Sequence, residues 1–154
     1  MSAYFLIKTL HIISATILFG TGLGIAFFMF RSWFTDDLRE KRFALRTTVL
    51  ADYLFTAPAA VLQPATGAWL IWNEGFGWTD GWLVATYILY AIAAACWLPV
   101  VWIQIRLKRL VTTALDTGTP LPHEYQRLFR LWFALGWPAF LGLVAVFFLM
   151  VMKP

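Results

Sequence analysis

With 154 residues, 61% of them hydrophobic and 13% charged, and a mean hydropathy of +0.73, the chain lies outside the range of soluble domains, which carry about 45–50% apolar and about 25% charged residues. Its net charge of +4 implies no nucleic-acid partner, because basic residues gathered on one side of a membrane explain it. The single cysteine, Cys96, excludes a disulfide within the chain and reads as a small buried residue. No CxxC, HExxH or phosphate-binding glycine loop occurs, so zinc, protease and nucleotide chemistry find no support.

A membrane-spanning helix needs about 20 apolar residues. Four stretches qualify, at about 4–30, 49–73, 82–105 and 131–152. They leave no room for a soluble domain, so residues 1–154 are read as one all-α domain, a bundle of four transmembrane helices.

The first stretch, AYFLIKTLHIISATILFGTGLGIAFFMF, is too long for the apolar core of a signal peptide and should remain as a helix. It contains Lys8 and His11, three residues apart and hence on one helical face. That face continues through Ser14, Ala15, Leu18 and Gly22, mostly small residues suited to contact with another helix or a flat ligand. An ionisable group in hydrocarbon costs about 2.5–3.5 kcal/mol on insertion scales, so it persists where it is partnered or useful. Gly20 and Gly24 form a small-xxx-small pattern for close helix approach.

The first connection reads TDDLREKRFALR, a short amphipathic cytoplasmic segment with acids first and bases later, expected to lie on the membrane surface. Asp52, at the start of the second helix, should pair with a base from a neighbouring helix, Arg106 or Arg130. The second helix carries Pro58 and Pro64, the third Pro99 and the fourth Pro138, and each should bend there. The third connection, about 106–128, holds a DTGTP turn, with His123 in a solvated position.

Basic residues number five in the first connection, none in the second and five in the third. Basic loops stay cytoplasmic, so both termini and the second loop should lie outside. Trp69, Trp72, Trp78 and Trp82 then mark the outer interface and Trp33, Trp102 and Trp132 the inner one, while Trp97 and Trp137 are deeper and, though able to stack on a ligand, read as core.

A rise of 1.5 Å per residue puts His11 on the order of 10–13 Å below the outer boundary. Gln63, Tyr87 and Tyr90 fall at similar depth, so His11, Gln63 and Tyr90 can converge, with Lys8 one turn above. Imidazole is a common metal and haem ligand, and helical bundles host haem. His11 is therefore the candidate metal ligand, with Lys8, Gln63 and Tyr90 as further cofactor-binding candidates, for haem b or for a quinone or porphyrin. No other histidine lies within the spans, so the haem would be five-coordinate, completed by a weaker ligand, or shared by two copies of His11. The alternative is a non-enzymatic accessory subunit or small oligomeric carrier, with Lys8 reaching to the head groups and His11 bonding a neighbouring helix.

FLIKTLHIIS, with Lys8 and His11, resembles the start of HemJ, the bacterial four-helix protoporphyrinogen oxidase family. TAPAAVLQPATGAWLIW, the GWL opening the third helix, and YQRLFRLW followed by Pro138 are similar to that family in outline. The same start is shared with a large uncharacterised family of bacterial integral membrane proteins, which the chain resembles as well. Both resemblances imply a multi-pass protein of the bacterial inner membrane; with the loop charges, the termini are expected to be periplasmic, and membrane lipid and a second copy (a homo-oligomer) or a membrane partner protein are the expected partners. HemJ also implies oxidase chemistry, but Trp97 stands near the place of its third-helix histidine, Thr86 near that of its lysine, and ALGWP replaces its Asn-Glu pair.

Overall fold

The computed structural model describes residues 2–154, which are 89% helical with no strand. Helix α1 runs Ala3–Arg31, α2 Leu38–Ala51, α3 Ala57–Glu74, α4 Gly81–Thr117 and α5 His123–Met152. A five-residue π turn, Asp52–Thr56, carries α2 directly into α3. The result is four helices long and apolar enough to cross a membrane: Ala3–Phe34, Leu38–Glu74, Gly81–Thr117 and His123–Met152.

Each span read from hydropathy lies inside one of these helices, but three of the four helices continue beyond it. The first connection shrinks to residues 32–37 and the third to 118–122. Helix α4, at 37 residues, is about 55 Å long, against about 30 Å of hydrocarbon. The amphipathic segment of the first connection is present as α2. Its residues Lys41, Leu45, Thr48 and Val49 are buried, and the helix continues into α3. His123 is exposed as expected, although it is the first residue of α5 rather than part of a loop.

Local chemistry sets the helix ends. The Asp37 carboxylate caps α2 by accepting from the Arg39 amide at 2.7 Å. Gly75 and Gly118 end α3 and α4 in the left-handed conformation, with φ of 73° and 66°. At the end of α1 the buried Lys41 ammonium donates to the Ser32 carbonyl at 2.8 Å and the Trp33 carbonyl at 3.4 Å. A cation at those carbonyls complements the negative end of the helix dipole.

Helix α4 packs along α5, and α1 packs along α3, with α2 joining α4 to α1. The largest buried cluster lies at the end of the bundle that carries the basic residues. It joins Met29, Leu45, Ile103, Leu107, Val111, Tyr125, Phe129 and Trp132, roofed by the Trp33 ring 4.6 Å from that of Phe129. Arg106 and Glu124 form a salt bridge beside it, between α4 and α5. At the opposite end, Ile71, Trp82 and Leu83 make a smaller cluster. Lys153 lies over the Phe76 and Trp82 rings, so the C-terminus meets the Glu74–Gly81 connection. Large apolar side chains such as Phe28, Val61, Leu98 and Phe148 stand exposed around the bundle, a surface suited to lipid.

Two expectations change here. Trp137 is 52% exposed and is not core. A Cβ added at Gly20 or Gly24 would meet nothing within 4 Å, so their spacing serves no close helix contact within the chain.

Candidate functional site

The polar residues of α1 and α3 meet. Ser14, predicted on the His11 face, is buried, and His11 is half-buried one turn away. The Gln63 amide nitrogen of α3 donates to the His11 carbonyl at 2.7 Å and to the Ser14 hydroxyl. The Ser14 hydroxyl donates in turn to the His11 carbonyl at 3.1 Å. Gln63 thus spends both N–H groups holding α3 to α1.

The His11 ring is fixed by a residue that sequence reasoning did not single out. Its Nδ1 lies 2.7 Å from the Thr66 hydroxyl. Thr66 Oγ1 is 2.6 Å from the Leu62 carbonyl and 3.3 Å from that of Gln63, so its one hydrogen goes back to its own helix. Towards His11 it can then only accept. In that arrangement the hydrogen is on Nδ1 and the Nε2 lone pair is free. The ring sits over Gly67, where a Cβ would come within 3.4 Å of His11 Cε1. Thr66 and Gly67 follow Gln63 by three and four residues, so extending the Gln63 face by one helical turn would have found both.

The remaining predicted residues lie apart from the ring. The Lys8 ammonium is exposed and donates to the Tyr4 hydroxyl, one turn nearer the terminus. Tyr90 of α4 donates to the Ala60 carbonyl of α3, one turn from Gln63. Tyr87, at the same depth, is 40% exposed and joins neither. No group of three or more His, Cys, Asp or Glu is placed to hold a metal among the described residues. A metal centred on His11 would therefore draw its other ligands from a porphyrin or from a second chain.

Asp52 does not make the ion pair expected of it. It is 3% exposed, and its Oδ1 accepts from the Trp97 indole at 3.4 Å. Arg106 instead bonds Glu124 through two nitrogens, at 2.8 and 3.1 Å, and Arg130 is exposed. The physical reason is the unbroken helix. Because α2 runs through the π turn into α3, Asp52 sits on the buried stripe Lys41–Leu45–Thr48–Asp52–Thr56 facing α4, away from the basic rim. Lys41 lies on that stripe too, but 11 residues of helix put it about 16 Å away.

A family model described as "Predicted integral membrane protein (DUF2269)" matches residues 5–154. The chain belongs to this family. The match covers the Lys8-x-x-His11 segment and every helix but the first two residues of α1. It supports an uncharacterised membrane family and not the likeness to HemJ. No curated protein and no solved structure matches the chain.

Proposed function

We propose that this integral membrane protein binds haem b through His11 and serves a redox role in the bacterial inner membrane, with both termini on the outer side. The observation that carries the reading is the 2.7 Å contact between His11 Nδ1 and the Thr66 hydroxyl, which holds the ring; with the hydroxyl hydrogen on the Leu62 carbonyl, Nδ1 donates and Nε2 is left as a bare nitrogen base. Metal-ligating histidines characteristically donate their other ring hydrogen to a fixed acceptor. The same tautomer disfavours a quinone at Nε2, because a quinone oxygen and a bare nitrogen are both acceptors.

The residues present could hold a haem iron through the single nitrogen His11 Nε2. Bound haem would supply a one-electron iron couple. His11 would hold the iron, Thr66 and Gly67 would fix the plane and tilt of the ring, and Gln63 would hold the helix that carries it. Lys8, exposed one turn nearer the terminus, is the cation available to an anionic propionate. With one such histidine per chain, a bis-histidine haem requires two copies, one haem per dimer.

A second reading rests on the same bonds. Gln63 and Thr66 both tie α3 to α1, which is what an accessory bundle with a purely structural histidine would need. Absorption spectra of the detergent-purified protein, oxidised and reduced, separate the two. Haem binding gives a Soret band that His11→Ala abolishes while the helix content stays unchanged. Protein that is colourless after expression with ample haem defeats the haem reading and leaves the accessory one.

A further inference from the structure

Three buried oxygens near the π turn have no bonding partner in the chain: Asp52 Oδ2, Thr56 Oγ1 and Gln104 Oε1. Their residues are 3%, 4% and 3% exposed. Thr56, Trp97 and Gln104 are the side chains within hydrogen-bonding reach of the Asp52 carboxyl, and none of them is charged. Unbonded buried polar atoms are rare, and each costs about 1–3 kcal/mol. Two of the three belong to side chains beside the third, the Asp52 carboxylate.

We propose that Asp52, Thr56 and Gln104 form a binding site for a monovalent alkali cation, independent of the His11 site. The donor set consists of oxygens, which suits hard cations and not the softer transition metals. It carries one negative charge. A monovalent ion neutralises it, whereas a divalent ion would leave a net positive charge inside the membrane. Trp97 occupies Oδ1 and leaves Oδ2 for the ion. The backbone is adapted as well. The Ala57 amide bonds the Asp52 carbonyl five residues back, and a π turn of this kind inside a helix commonly marks a functional position. Gln104 is a lone amide in the apolar run of α4, seven residues after Trp97 and on the same face.

The test is thermal unfolding of the detergent-purified full-length protein in sodium chloride against N-methylglucamine chloride, at equal pH and ionic strength. The wild type should show a saturable rise of its midpoint with Na+. Asp52→Asn should lose the response, and Gln104→Leu should weaken the apparent affinity about tenfold. Infrared difference spectra of the wild type, with and without Na+, should show the carboxylate bands moving on binding, a readout that needs no variant to fold. Equal midpoints in the two salts overturn the proposal, as does a full response in Asp52→Asn. A protonated carboxylic acid that Na+ leaves unchanged also overturns it, since a proton then satisfies the oxygens.

Discussion

The Tyr90 hydroxyl donates to the Ala60 carbonyl, and Ala60 lies four residues before Pro64, which has no amide hydrogen to offer it. A phenol on α4 therefore completes a backbone bond that α3 cannot make for itself. Tyr90→Phe should leave that carbonyl bare in an apolar surround and cost about 1–3 kcal/mol. A lowered unfolding midpoint in detergent checks this. Restoring the missing amide with Pro64→Ala should cancel most of the loss, and a double variant no better than Tyr90→Phe alone would remove the proline from the explanation.

Lys41 closes α1 by holding the carbonyls of Ser32 and Trp33. Lys41→Met keeps the apolar stem and removes the charge. It should free residues 32–37 without dissolving the cluster around Leu45 and Leu107, so limited proteolysis should cut this connection sooner than in the wild type. An unchanged cleavage rate would mean that the aromatic packing of Trp33 is sufficient to hold the turn.

Gly67 sets the floor under the His11 ring. A methyl group there makes ordinary van der Waals contact, so Gly67→Ala should be tolerated. Gly67→Leu should displace the imidazole from Thr66, abolish any haem spectrum and separate α1 from α3. Cross-linking between cysteines introduced on those helices reports the separation whether or not haem is present. If Gly67→Leu cross-links as efficiently as the wild-type background, the ring is not seated as described.

The five–zero–five distribution of basic residues predicts that both termini lie on the outer side. A reporter active only in the cytoplasm should be silent when fused after Pro154 and active when inserted at Gly118. The reverse pattern would invert the membrane topology and put the His11 site in the other leaflet.

The number of helices and their rough places were legible because a run of apolar residues signals a bilayer span directly. Their ends were not. In α2 and beyond residue 105 of α4, charges break the hydropathy, although Leu45 and Val49, or Leu107, Val111 and Ala114, keep a helical spacing and are buried. Depth counting brought His11 and Gln63 together correctly, since helix rise is nearly constant. It cannot supply rotation about each axis, and so gives no sign of Thr66. A carboxylate at a membrane edge suggests a basic partner, whereas the π turn directs Asp52 towards Trp97 and Gln104.

The α1–α3 seam also says something about biosynthesis. Its bonds join residues 11 and 14 to residues 63 and 66, all made before any of α4 or α5. The cluster at the basic end needs Phe129 and Trp132, near the end of the chain. The His11–Thr66 contact can therefore form before α5 has been made, with the bundle closing over the other end only once the last helix has entered the membrane.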